Sequence, residues 1–88
     1  MTIGNEGTTD SKFQYPRELA MDENEYLMVG DAGNNRVQIF GNCDYRFFSV
    51  FGSWGNVLGE FKGIESVAVS HDGQIIIADR DNHRIQVS

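Results

Sequence analysis

The sequence is poor in residues that form cross-links, and this narrows the kinds of protein it can encode. Cys43 is the only cysteine among 88 residues, so an internal disulfide and a cysteine-based zinc site are both excluded. A lone thiol favours a reducing, cytoplasmic setting. The longest uninterrupted apolar run is Ile75 to Ala78, which is far too short to span a bilayer, and we expect no membrane partner.

Cations and catalytic groups are also scarce. Seven Lys and Arg against 13 Asp and Glu give a net charge of −6, which opposes binding to DNA through counterion release. The two histidines, His71 and His83, fall in different predicted turns, and no Ser or Cys nucleophile sits near a plausible base. Asp79, Asp81 and Asn82 lack the spacing of a calcium-binding loop. We therefore expect no enzyme activity, no metal and no cofactor.

What the sequence does contain is an internal repeat. With a shift of 48, residues 3–40 align without a gap on residues 51–88, and eight of the 38 pairs are identical. The identical pairs begin at Gly4, Gly7, Phe13, Ala20, Asp31, Asn34, Arg36 and Gln38. Apolar positions also match in phase, so each half repeats one structural unit. Ten glycines and one proline indicate many tight turns, and no segment of the sequence predicts a helix.

Each copy reads as a series of short strands. Residues 18–22 and 66–70 predict a buried first strand, and residues 26–30 and 74–78 are nearly continuous apolar runs typical of a strand covered on both faces. After a six-residue turn, residues 37–40 and 85–88 alternate as a third strand. Residues 44–51 predict a fourth strand in the first copy, and the second copy stops before its own.

Four antiparallel strands repeating every 40–50 residues are typical of a β-propeller blade. We predict an all-β chain of two four-stranded antiparallel blades, the second lacking its last strand. Residues 1–4 would be the last strand of a neighbouring blade, residues 5–52 the first blade and residues 53–88 the second. Known rings have about 4–8 blades. The remainder of the ring would then be either further blades of a longer propeller or other copies of this chain. Three copies would give six blades.

The turn between the second and third strands is the most informative motif. It carries Asp at its start, Asn in the middle and Arg at its end in both copies: Asp31, Asn34, Arg36 and Asp79, Asn82, Arg84. Asp can accept amide hydrogens of a turn, and Arg has five donors for the Asp and for carbonyls of an adjacent blade. The alternative is a ligand site. We favour scaffolding within and between blades, because the motif recurs.

The sequence motifs around this turn resemble the NHL repeat. Asn34-Asn35-Arg36-Val37-Gln38 and Asn82-His83-Arg84-Ile85-Gln86 carry the resemblance, with Phe51-Gly52 and Gly55 before the second copy. Ile64 stands where the repeat usually has Pro, and Gly30 where it usually has Ala. The chain is similar to the C-terminal NHL propellers of TRIM-NHL proteins, the Brat-like regulators. That resemblance implies a six-bladed recognition module that binds protein or mRNA, in a family whose separate RING domain acts as a ubiquitin ligase.

Three functions stay open, and we favour a protein-binding module in a regulator of this type. The alternatives are single-stranded RNA binding for repression of mRNA, and a self-assembling propeller fragment with a structural role only. The loops before each first strand, with both turns, hold six Lys and Arg against eight Asp and Glu. These loops and turns form the face on which we expect a ligand to bind. The candidate ligand residues on it are Tyr15, Arg17, Asn35, Trp54, Asn56, Lys62, Arg80 and His83. For Tyr15 and Trp54 we favour packing between adjacent blades over stacking on a ligand.

Overall fold

A computed structural model describes all residues from Met1 to Ser88 and contains two antiparallel sheets. The first sheet has the order β1-β2-β3-β4 and the second the order β5-β6-β7. The strands are β1 Pro16–Met21, β2 Leu27–Asp31, β3 Arg36–Phe40, β4 Phe47–Phe51, β5 Ile64–Val69, β6 Ile75–Asp79 and β7 Arg84–Val87. The predicted all-β class, with one four-stranded and one three-stranded blade, is confirmed.

Helical structure is limited to one 3-10 turn in each copy, Ala32–Asn34 and Arg80–Asn82. Neither turn has the length or apolar content needed to cross a membrane. Each 3-10 turn ends on a residue in the left-handed conformation, Asn35 at φ 55° and His83 at φ 54°. The six-residue turn predicted from the Asp-Asn-Arg pattern is therefore a short helical turn that reverses the chain between antiparallel strands.

The sequence repeat is also a structural repeat. β1 and β2 begin and end 48 residues before β5 and β6, and the two 3-10 turns keep the same offset. The loop that leads into each first strand is held by an equivalent isolated bridge, Glu6 with Phe13 and Trp54 with Phe61. We call residues 5–15 and 53–63 the leading loops of blade 1 and blade 2. Residues 1–4 form no strand in this chain, and the predicted boundaries at residues 4 and 52 stay predictions.

The fourth strand is shorter than predicted. β4 begins at Phe47, whereas the alternation of residues suggested a strand from Asp44. The Asp44 carboxylate accepts the backbone N–H of Arg46, and Tyr45 adopts a left-handed conformation at φ 57°. These residues make the turn that joins β3 to β4, because a local side-chain acceptor competes with strand pairing.

The core lies between the two blades. Seven buried side chains form one cluster to which both sheets contribute: Met28, Val37, Phe61, Ile64, Val67, Ile75 and Ile77. A Cβ on Gly30 would lie 3.0 Å from Val67 Cγ2 and 3.1 Å from Ile64 Cγ2, so β2 packs closely on β5. The two departures from the repeat pattern, Gly30 and Ile64, thus face each other. A larger residue on one blade is matched by a smaller one on the other.

The structural repeat shows how much burial depends on a neighbouring blade. Val67 on β5 is 5% exposed, but its equivalent on β1, Leu19, is 64% exposed. Val37 on β3 is fully buried, whereas its equivalent on β7, Ile85, is 62% exposed. The prediction of a buried first strand is therefore right for one face of β5, where Ile64 and Val67 are buried, and wrong for β1, because only β5 has a blade packed on that face. β2 is buried as predicted.

Replacing Val37 with Ala should lower the free energy of unfolding by about 1.5–3 kcal/mol, because the lost methyl groups leave a cavity between the blades. Val57→Ala is the matched control, since Val57 is 59% exposed on the second leading loop and should cost less than about 0.5 kcal/mol. Urea unfolding of both variants measures the difference. Equal shifts in midpoint would contradict the placement of the core.

Candidate recognition face

A buried aspartate organises each copy of the turn. Asp31 is fully buried, and its Oδ1 accepts the backbone N–H of Gln14 at 2.7 Å. Its Oδ2 accepts hydrogen bonds from Asn34 Nδ2 at 2.9 Å and from Arg36 Nε at 3.0 Å. A carboxylate buried without partners would be costly, and these donors supply them. Asp31 therefore ties the first leading loop to the turn after β2.

Asp79 repeats this arrangement in blade 2. Its Oδ1 accepts the backbone N–H groups of Lys62 and Gly63 at 2.9 and 3.0 Å, and its Oδ2 accepts Asn82 Nδ2 at 2.6 Å. Arg84 Nε lies 3.6 Å from the same oxygen, which is an ion pair without a hydrogen bond. The two aspartates thus hold both leading loops in the same position relative to their sheets.

The arginine of each turn binds its own leading loop, which corrects the prediction that it reaches an adjacent blade. Arg36 donates to the carbonyls of Thr8, Thr9 and Lys12 at 2.8–3.0 Å. Arg84 binds the equivalent carbonyls of Asn56, Val57 and Glu60 at 2.8–2.9 Å. The loop folds back over the end of its own sheet, so its carbonyls lie nearer to the guanidinium than those of the other blade.

A glutamine on the third strand is a structural residue to which sequence reasoning assigned no role. Gln38 is fully buried, accepts the N–H of Ser11 at 2.9 Å and donates to the carbonyl of Lys12 at 2.7 Å. Gln86 makes the same pair of bonds to Gly59 and Glu60. The signal was present, because a polar residue recurred 48 positions apart among apolar strand residues.

Charged side chains from both blades meet at the ends of the first strands. Arg17 Nη2 lies 3.1 Å from Glu65 Oε1, and Arg80 Nη1 lies 3.2 Å from Glu65 Oε2. Arg80 Nε also donates to Asp81 Oδ1 at 3.1 Å. The hydrogen bond and negative charge of Asp81, with the charge of Glu65, raise the pKa of Arg80 above its usual value. Two cations and two anions therefore form one continuous network.

An exposed aromatic residue extends this network. Lys62 Nζ lies 5.0 Å from the centre of the Trp54 ring, within the range of a cation–π contact. The residue after Lys62, Gly63, accepts the backbone N–H of Arg80 at 2.8 Å, so the pair adjoins the ionic network. We call this set the charged strip, and it comprises Trp54, Lys62, Asp81, Arg80, Glu65 and Arg17.

The predicted packing of Trp54 between blades is wrong for the two blades present. Trp54 lies on the loop that joins the blades, yet it remains 66% exposed. Tyr15 is 82% exposed and lines a cavity of about 590 Å³ with Ile3, Phe13 and Pro16, on the side of blade 1 that has no neighbour. The two aromatic candidates thus lie at different places, and only Trp54 belongs to the charged strip.

The structure joins four of the eight predicted ligand residues in the charged strip: Arg17, Trp54, Lys62 and Arg80. Three of the other predicted ligand residues lie in the turns or contact them. Asn35 brings its carbonyl close to Gly52, Asn56 uses its carbonyl to bind Arg84, and His83 lies beside Arg84 and Ile85 on the open side of blade 2. Their side chains make no hydrogen bond to the strip. Sequence reasoning missed Glu65 and Asp81, which carry the matching negative charge.

Comparison with known proteins points to the same repeated unit. Residues 61–87, from the end of the second leading loop to β7, match the family model of the NHL repeat. That segment of the chain is similar to one NHL repeat. NHL repeat-containing protein 3 of Homo sapiens is 33% identical over 85 residues, which is 96% of this chain and 23% of that protein. The mouse protein of the same name is 32% identical over the same length.

A second group of relatives matches half of the chain. E3 ubiquitin-protein ligase TRIM71 of Bos taurus is 38% identical over 43 residues, which is 49% of this chain and 5% of that protein. The chain thus spans about a quarter of the length of the first relatives and far less of the second. The predicted resemblance to the NHL repeat is confirmed.

Asp31→Asn should destabilise the protein by about 3–5 kcal/mol, because the amide removes the buried negative charge that pairs with the mostly buried Arg36 and turns one acceptor into a donor. Asp44→Asn is the matched control. The Asp44–Arg46 pair is exposed, and its loss should cost less than about 1 kcal/mol. Chemical denaturation of the two variants tests this, and a cost for Asp31→Asn as small as that of the control would show that the turn does not depend on the buried charge.

Proposed function

We propose that this chain is a non-catalytic part of an NHL propeller that binds a polypeptide through the charged strip. The observation that carries the proposal is the exposed Trp54 ring, held by Lys62 next to a network whose charges are already balanced. Trp and Arg are enriched among residues that dominate binding at protein interfaces. A balanced set of charges suits a partner that carries both signs.

The same network disfavours the RNA alternative. Arg36 and Arg84 are occupied by carbonyls of the leading loops, and Arg17 and Arg80 are paired with Glu65. Arg80 also pairs with Asp81, so few cations near the strip are free to bind phosphate. Binding single-stranded RNA draws on stacking together with a positive groove, and this chain offers an exposed ring on an acidic background. RNA binding is therefore treated as one possible result of the crosslinking experiment described below.

A lack of catalysis fits the placement of the titratable groups. His71 lies in the turn between β5 and β6, paired with Glu23 at 2.8 Å, while His83 lies in the turn at the other end of β6. Cys43 is exposed in the turn between β3 and β4. These groups are dispersed, whereas catalysis needs acid, base and nucleophile within hydrogen-bonding reach of one another.

The wider context that we propose is a TRIM-NHL-type regulator in the cytoplasm. The match to proteins named E3 ubiquitin-protein ligase TRIM71 supports this, although it covers half of the chain. In such a regulator the charged strip would select the partner, and any ligase activity would belong to a RING domain outside these residues. The lone cysteine supports the cytoplasmic location.

Photo-crosslinking tests which kind of molecule meets the strip. Benzoylphenylalanine in place of Trp54 should give adducts that protease removes and ribonuclease leaves intact, in cells that produce the protein. The same replacement of Phe48 is the control, because Phe48 is 62% exposed and packs against Tyr26 near the turns at the opposite end of the sheets. The control should give few adducts.

Affinity for the crosslinked polypeptide should then fall about 30-fold in the Trp54→Ala variant, as expected for a dominant interface aromatic. Phe48→Ala should leave affinity unchanged. Adducts that ribonuclease removes would favour the RNA alternative over protein binding. Equal adduct yields at positions 54 and 48 would contradict the charged strip as a binding site of either kind.

A further inference from the structure

We propose that Asp72 is a site of isoaspartate formation and that the hydroxyl group of Ser70 sets its rate. Asp72 and Gly73 lie in the turn between β5 and β6, at the end of the sheets opposite the charged strip. The modification is a spontaneous rearrangement of the chain that consumes and releases only water. This inference does not depend on the charged strip binding a partner.

The sequence places an aspartate or asparagine directly before a glycine at one position, and that position is Asp72. Glycine has no side chain to shield its backbone nitrogen from the carboxyl group of the preceding residue. Asp72 and Gly73 are both exposed, and a Cβ on Gly73 would meet no atom within 4 Å. The carboxyl group and the nitrogen with which it can react are therefore both accessible.

The rearrangement proceeds through a cyclic imide. The backbone nitrogen of Gly73 attacks Cγ of Asp72, a new N–C bond forms, and the carboxyl group loses its hydroxyl, which leaves with the amide proton as water. Addition of water at either carbonyl of the ring then opens it. One opening restores aspartate, and the other gives isoaspartate, in which the main chain runs through the former side chain.

Ser70 holds both of the reacting groups. Its carbonyl accepts the backbone N–H of Gly73 at 3.0 Å, and its hydroxyl donates to Oδ1 of Asp72. The same hydroxyl oxygen accepts the backbone N–H of Gln74 at 3.0 Å. The Gly73 nitrogen thus keeps its proton in a hydrogen bond, while the Asp72 carboxylate is held toward the Ser70 side chain. One residue therefore restrains both the nucleophile and the electrophile.

The hydrogen bond from Ser70 also affects the ionisation of Asp72. Donation by the Ser70 hydroxyl is the main cause that holds the pKa of Asp72 below its usual value, because it stabilises the charged form. An ionised carboxylate is a poor electrophile for an amide nitrogen, since the neutral acid has the better leaving group. A hydrogen bond that favours the ionised form therefore slows closure of the imide ring.

The equivalent turn of blade 1 separates two roles of this position. Asp22 stands 48 residues before Ser70 and closes the turn in the same way. Its carbonyl accepts the N–H of Glu25 at 3.0 Å, and its carboxylate accepts the N–H of Tyr26 at 2.9 Å. A carboxylate has no proton to donate, so an aspartate here can close a turn but cannot restrain a second carboxylate. The hydroxyl of Ser70 does both, since it accepts one hydrogen bond and donates another to Asp72.

Isoaspartate in this turn would disturb the contact between the blades. It adds one methylene group to the main chain of a turn that is closed by the pairing of Val69 with Ile75. Ile75 belongs to the core cluster shared by both blades. His71 of the same turn lies 2.8 Å from Glu23 of blade 1. A longer turn therefore displaces groups that hold the two blades together.

Three substitutions of Ser70 test the role of its hydroxyl. Ser70→Ala removes it, and Ser70→Asp installs the residue that closes the equivalent turn in blade 1, with an acceptor for Gln74 and no proton for Asp72. Both variants should form isoaspartate about 3- to 10-fold faster than the unmodified chain, as expected for the loss of one hydrogen bond to a carboxylate. Ser70→Thr retains a hydroxyl and should keep the original rate.

The measurement uses the full chain, incubated for several weeks at neutral pH and physiological temperature. Isoaspartate is quantified by enzymatic transfer of a labelled methyl group to its carboxylate and located by fragmentation mass spectrometry. Asp72→Glu is the control for position, because the longer side chain must close a larger and less favourable ring, and it should abolish the signal. Isoaspartate that persists in this variant, or none in any folded variant, would overturn the assignment of the site.

Repeating the incubation in guanidinium chloride separates the folded turn from the local sequence. Unfolding removes the hydrogen bonds of Ser70, so the unmodified chain and the Ala and Asp variants should then react at similar rates. Circular dichroism checks that each variant keeps its strands in the absence of denaturant. If the folded Ser70→Asp chain reacted no faster than the unmodified chain, or if the difference persisted unchanged on unfolding, the role of the hydroxyl would be overturned.

Discussion

A sheet that is apolar on both faces must be covered on both faces, and the rest of this structure depends on that constraint. Between the blades it is met, with Val37, Ile77 and Ile64 almost fully removed from water. On the two outer faces it is not met, and the equivalent apolar residues are exposed. Burial of apolar surface is the main favourable term in folding, so the covered interface carries most of the stability.

The second organising element is the buried aspartate of each turn. Asp31 and Asp79 bring their leading loops against the ends of the sheets, and the arginine and glutamine of each copy hold the same loops by their carbonyls. Buried charges are tolerated because nearly every donor has an acceptor. The turn motif thus builds the support, and the exposed residues of the charged strip are displayed by it.

Much of the fold could be predicted because its signals are local or repeat at a constant offset. Alternating apolar residues predicted the strands, and the gapless shift of 48 predicted two equivalent blades. The fourth strand was predicted three residues too long, since Asp44 and Arg46 alternate like strand residues while their side-chain and backbone groups favour a turn. The Asp-Asn-Arg motif was predicted as scaffolding, but its arginine contacts its own blade and not the next.

The candidate site was harder to predict. Arg17, Lys62 and Arg80 were identified by residue type, but their partners Glu65 and Asp81 were not, since pairing between blades depends on how two sheets stack. Trp54 was predicted to pack between blades, and the structure leaves it largely in solvent. Aromatic residues suit both roles, and composition does not distinguish them.

The sequence by itself determined the strands, their number, the repeat and the chemistry of the turn, because each of these follows from residues close together along the chain. Only the tertiary structure decided which apolar residues are buried, that Gly30 and Ile64 fit each other, and that four charged side chains form one network. Those outcomes depend on the packing of one sheet on another. Equivalent residues such as Leu19 and Val67 differ in burial because only one of them meets a neighbouring blade.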